Sequence, residues 1–99
     1  MTQQVNDIHE VAISSTAIKQ LQKTPTYITE NLYKWVEQIK FLGLFEVRKI
    51  KSYHDEPLKG ERAGQRSIRL NKAYRAIYVI QKNKTIKFVE IKEVNKHDY

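Results

Sequence analysis

Between residues 26 and 42 the chain repeats its apolar side chains once per helical turn, and from residue 66 onward it repeats them every second residue. Ile28, Leu32, Trp35, Val36 and Ile39 fall at the 3.6-residue period, with Glu30, Lys34, Glu37 and Lys40 between them. This predicts an amphipathic helix over 26–42. Thr24-Pro25 reads as an N-cap followed by proline at the first helical position, where the missing N–H costs nothing. Gly43 reads as the left-handed stop. Trp35 belongs to the buried stripe and is expected in the core. After the change of period, Arg66–Leu70, Tyr74–Gln81 and Thr85–Val94 read as strands joined by turns at Asn71-Lys72-Ala73 and Asn83-Lys84. Tyr74–Ile80 is apolar at nearly every position, as in a central strand covered on both faces.

The remaining segments give weaker signals. Val11 and Ile13 alternate with Ala12 and Ser14, a short first strand. Ser14, Ser15 or Thr16 is placed to cap a short helix carrying Ile18 and Leu21 inward. Leu44–Ile50 fits no single period. Ser52–Gly64 reads as a loop, because His54, Asp55, Glu56, Pro57, Gly60 and Gly64 disfavour regular structure. Strand, two helices and an antiparallel meander make an α+β domain, with the N-terminal strand and two helices packed on a twisted, mainly antiparallel sheet. The 99 residues suffice for one such domain, residues 1–99, and not for two.

Composition narrows the chemistry. There is no cysteine, so disulfides and thiolate metal sites are excluded, which fits a reducing compartment. No stretch approaches the roughly 20 apolar residues of a membrane span, and Met1–Asn6 does not resemble a signal peptide. A cytoplasmic protein without a membrane partner is therefore expected. Lysine and arginine number 18 against 11 acidic residues, a formal charge of +7. That excess favours anionic partners, nucleic acid foremost. It is unevenly spread: Lys59, Arg62, Arg66, Arg69, Lys72 and Arg75 lie close together, with Glu61 the acid among them.

Register sharpens this reading. If Asn71, Lys72 and Ala73 form a three-residue loop, Leu70 pairs with Tyr74 and Arg69 lies opposite Arg75. Ile68, Leu70, Tyr74, Ala76 and Tyr78 then turn to the helices. Like charges set opposite each other cost stability, so such a pair is expected to repel, to be a stability liability, and to serve an anion. Arginine's planar fork suits phosphate. A two-residue loop would put the arginines on opposite faces. At the C-terminus His97, Asp98 and Tyr99 place an imidazole, a carboxylate and a phenol in succession. Cleavage of RNA through its 2′-OH needs a base, an acid and cations on the phosphorus oxygens. Histidine titrates near neutrality and suits either proton task. Lys59, Arg69 and Arg75 would supply the cations. The three histidines are scattered along the chain and do not resemble a metal site, so no metal or other cofactor is implied.

The segment Glu56-Pro57-Leu58-Lys59-Gly60-Glu61-Arg62, followed by Ser67-Ile68-Arg69-Leu70 and Tyr74-Arg75, resembles the RelE/HigB-like toxins of the RelE/ParE superfamily. Those toxins carry a Pro-Leu-Lys-Gly-type loop, a Ser-[Val/Ile]-Arg strand and a Tyr-Arg strand in this order, and often end in a short His/Asp/Tyr cluster. The resemblance covers nearly the whole chain. It implies a type II toxin: an endoribonuclease that cuts mRNA at the ribosome and is neutralised by a cognate antitoxin. It implies catalytic roles for Lys59, Arg75, Asp98 and Tyr99. With His97 these form the candidate catalytic set, and Arg62, Arg66, Arg69 and Lys72 the candidate RNA contacts. The chain departs from the pattern twice. Glu56 stands where HigB-type members carry histidine, with His54 two residues earlier, and His97 precedes the terminal Asp-Tyr rather than following it. Two other functions compete: a ParE-like gyrase inhibitor without nuclease activity, which needs no proton-transfer groups, and a harmless basic RNA-binding module.

Overall fold

The structure, a computed structural model, describes residues 7–96. Its elements are β1 (Glu10–Ile13), α1 (Ser15–Leu21), α2 (Thr26–Leu42), α3 (Leu44–Val47), β2 (Glu56–Pro57), β3 (Arg66–Arg69), β4 (Tyr74–Asn83) and β5 (Ile86–Lys96). The strands form one mixed sheet in the order β1-β5-β4-β3-β2. β1 runs parallel to β5, and the other pairings are antiparallel. The expected α+β architecture is present, and β4 is its central strand.

The helices cover one face of the sheet. Ile28, Leu32, Trp35 and Ile39 of α2 are fully buried against Ile68, Tyr78, Val89 and Ile91 of the sheet. Trp35 and Tyr78 meet with ring centroids 5.2 Å apart. The other face carries no helix layer among the described residues. Ala76, Ile77 and Tyr78 of β4 are buried, but Ile80 beyond them is 41% exposed. That departs from the double cover its apolar sequence implies.

Several local expectations shift. Ser14 caps α1, its Oγ accepting from the Ala17 N–H at 3.1 Å and donating to the Lys92 carbonyl of β5. Ala17 and Leu21 are buried, but Ile18 faces outward at 46% exposure, because α1 is a single short face laid on β5. Pro25, not Thr24, is the cap residue of α2, and it offers no side-chain acceptor. The Thr24 hydroxyl instead donates to the Leu21 carbonyl. Gly43 ends α2 with φ 94° and ψ 151°, a positive φ that is extended rather than left-handed helical. The Asp7 side chain packs where a Cβ on Gly43 would stand, and its Oδ1 accepts the Phe45 N–H that opens α3. The ambiguous Leu44–Ile50 stretch contains α3, and the expected Ser52–Gly64 loop contains β2.

Candidate active site

The β3–β4 hairpin has the three-residue loop and the register expected from sequence. The Leu70 N–H bonds the Tyr74 carbonyl at 2.9 Å. Asn71 Oδ1 accepts from the Ala73 and Tyr74 N–H groups at 2.7 and 2.8 Å, so the asparagine side chain closes the turn. Arg69 consequently lies opposite Arg75. Ile68, Leu70, Ala76 and Tyr78 point into the core with Tyr74 packed against them, so strand alternation sets the Cβ atoms of both arginines on the open face.

A β-bulge builds the rest of that face. Tyr78 pairs with Ile91 but Ile77 pairs with Glu93, so Lys92 is the extra residue. Strict alternation after Ile91 would send Glu93 and Asn95 to the core and Val94 outward. The bulge reverses this: Val94 is buried, while Glu93 and Asn95 stand beside Ile77 and Arg75.

The result is a hollow lined by Glu56, Leu58, Arg62, Ser67, Arg75, Ile77 and Asn95. Arg75 is its central cation, with a side chain only 15% exposed. One guanidinium nitrogen donates to Ser67 Oγ at 2.6 Å, and the other lies 3.7 Å from Glu56 Oε2. These partners offset the repulsion from Arg69, which corrects the expectation of an uncompensated pair. The Glu56 side chain is 58% exposed, open to solvent and to a ligand. At the rim Arg62 bonds Gln65 and both carboxylate oxygens of Glu93. The Asn95 amide and then Arg62 hold the Glu93 carboxyl below the usual glutamate range, against a smaller opposing effect of burial.

Some residues expected to share this site lie elsewhere. Arg69 lines a separate hollow with Asn31, Lys34, Ser52, Tyr53, Leu70 and Asn71. Arg66 is turned to the helix-facing side, where its Nε donates to Asp55 Oδ1 at 2.6 Å. Lys59 is exposed just before the turn Gly60–Arg62, and Lys72 is exposed at the hairpin tip. His97, Asp98 and Tyr99 lie outside the described residues. β5 pairs Asn95 with Arg75 and Lys96 with Tyr74, so its last described residues run alongside the hollow. Among the described residues no group of three potential metal ligands occurs.

Chemically, the hollow sets an exposed carboxylate beside a largely buried guanidinium. The cation suits a phosphate oxygen and the carboxylate suits a proton drawn from a neighbouring hydroxyl. In the sequence Glu56 stands out only as a departure from the HigB pattern, and the bulge that brings in Glu93 and Asn95 has only a faint signal there. It left a trace, since Val94 follows Ile91 by three residues where Ile91 follows Val89 by two.

Solved structures of similar shape span this architecture. The RelBE2 toxin–antitoxin complex of Mycobacterium tuberculosis contains a chain that is 27% identical, at TM-score 0.62, over 90% of this chain and 98% of that one. The chain belongs, by fold, to the RelE/ParE-like superfamily. A YoeB/ParE toxin from Agrobacterium tumefaciens is 18% identical at TM-score 0.67, covering 90% of this chain and 99% of its own. The archaeal RelE–RelB complex from Pyrococcus horikoshii gives 21% identity and TM-score 0.66, over 89% and 93%. No protein-family model matches the RelE/ParE-like chain described here, and no curated protein sequence does.

Proposed function

We propose that this RelE/ParE-like protein is the toxin of a type II toxin–antitoxin system, an endoribonuclease that cuts mRNA at the ribosome and so halts translation in the cytoplasm. The observation that carries the proposal is the juxtaposition of Glu56 and Arg75 in one hollow, a base and a phosphate-binding cation 3.7 Å apart. Glu56 takes the proton from a ribose 2′-OH as that oxygen attacks the adjacent phosphorus. Arg75 stabilises the charge that builds on the non-bridging oxygens. The bond to the 5′ oxygen breaks, leaving a 2′,3′-cyclic phosphate and a 5′-hydroxyl. The proton for the leaving oxygen comes from His97, Asp98 or Tyr99, which follow Lys96 in sequence. No step requires a metal. Lys59, Arg62, Arg69 and Lys72 are the candidate contacts to flanking phosphates. Arg66, committed to Asp55, contributes to RNA only through the overall positive field.

An antitoxin partner is supported by the similar chains solved in complex with theirs, in RelBE2 and RelE–RelB. Such a partner would cover the hollow with acidic side chains or an amphipathic helix. Induced expression tests the function directly. Growth arrest with new mRNA ends carrying a cyclic phosphate, insensitive to chelator, is the expected result. Intact mRNA together with double-strand DNA breaks would replace this reading with gyrase inhibition, and harmless expression would leave a simple RNA-binding module.

A further inference from the structure

Behind the hollow, on the helix-facing side of the sheet, three polar side chains close on one another. The Asp55 side chain is 1% exposed. Its Oδ1 accepts from Arg66 Nε at 2.6 Å and its Oδ2 accepts from the Tyr78 hydroxyl at 2.6 Å. Burial and the bond to Asp55 push the Tyr78 phenol far above its ordinary range, so it remains a donor.

Each member of this cluster is the chain neighbour of a residue in the hollow. Asp55 precedes Glu56, Arg66 precedes Ser67, and Tyr78 follows Ile77. Successive strand residues point to opposite faces. The register locks the two sets together, with Glu56 paired to Ser67, Ser67 to Ile77 and Arg66 to Tyr78. The cluster behind therefore fixes three backbones whose next side chains form the floor in front.

β2 needs such a fastening. It has two residues, and one of them, Pro57, has no N–H to give the sheet. His54, just before Asp55, sits in the left-handed region at φ 47° and ψ 49°. A non-glycine residue persists there only when its surroundings hold it. The buried carboxylate ties this segment to the sheet through both of its oxygens.

We infer that Asp55 is a positioning residue, which through Arg66 and Tyr78 holds Glu56 at working distance from Arg75. The inference rests on the ribonuclease reading, and its tests separate the two. Asp55→Asn keeps the shape but cannot accept from both donors, and Tyr78→Phe removes one donor while keeping the ring on Trp35. In single-turnover cleavage on programmed ribosomes, Asp55→Asn should lower kcat by about 10²-fold, as a small misplacement of a reacting group does, with KM unchanged. Tyr78→Phe should show a smaller fall of the same kind, and it serves if Asp55→Asn does not fold. In a Glu56→Gln background the same changes should cost no further rate, because residues acting through one another are not additive. Equal losses in both backgrounds would reduce Asp55 to a purely structural role and overturn the inference.

Amide exchange gives a readout independent of activity. Exchange at Glu56 and Leu58 should quicken in Asp55→Asn while the central β4 amides stay protected. Unchanged exchange there would refute the positioning role. A wild-type protein that cuts no RNA would refute the ribonuclease reading and leave the exchange result standing.

Discussion

Replacing Arg75 by Gln separates what the hollow does for folding from what it does for chemistry. From sequence alone the change should relieve repulsion with Arg69 and leave stability intact or slightly improved. The structure reverses that sign. Arg75 donates at 2.6 Å to Ser67 Oγ, and Ser67 is 1% exposed. A hydrogen bond from a charged donor contributes about 1.5–3 kcal/mol, and the shorter amide cannot reach the same oxygen. Relief of a directly opposed like charge returns at most about 1 kcal/mol. The net is a destabilisation of about 1 kcal/mol, or roughly 4–8 °C in Tm for a domain of this size. The effect on cleavage should be much larger. A preorganised donor at the scissile group is worth about 2.7–4 kcal/mol of barrier, which at 1.36 kcal/mol per decade is about 10²–10³-fold in rate. Thermal unfolding followed by circular dichroism and single-turnover cleavage of ribosome-bound mRNA read the two quantities separately. An Arg75→Gln protein that is folded and cuts at the wild-type rate would refute the role assigned to Arg75. One that is more stable than wild type would refute the weight given to Ser67.

Trp35→Ala should cost about 3–5 kcal/mol and leave little folded protein at 37 °C by circular dichroism, because the fully buried ring fills the space between α2 and Tyr78. Trp35→Phe should be far milder, since the indole Nε1 has no hydrogen-bond partner among the described residues to lose. The Glu93 carboxyl is held low by Asn95 and Arg62, so its stabilisation is complete above the free-glutamate value of about 4.3 and is lost as pH falls through the lower folded value. The stability gap between wild type and Glu93→Gln should therefore shrink between pH 5 and 3 in denaturant titrations, and a constant gap would count against the pair. Lys72→Gln at the exposed hairpin tip should weaken single-stranded RNA binding modestly and lower the salt slope by about 0.7, as the loss of one peripheral phosphate contact does.

The sequence by itself determined the elements whose cause is local. The period of Ile28, Leu32, Trp35, Val36 and Ile39 specifies α2, because an apolar stripe at 3.6 residues has one stable use. Asn71 specifies the hairpin loop through its own side chain, and the loop length then dictates that Arg69 meets Arg75. Charge and motif order pointed to an anion-handling fold of the RelE/ParE-like kind. What only the tertiary structure decided are the contacts made between segments distant in the chain. Arg66 belongs to the same basic run as Arg69 and Arg75, yet strand alternation sends it behind the sheet to Asp55. A bulge at Lys92 turns Glu93 and Asn95 outward, against the alternation that a plain strand would impose. Glu56 reaches Arg75 only because two residues of β2 pair with β3. Such pairings depend on register and on a single inserted residue. One step of either exchanges the faces of a strand, and so decides which charges meet.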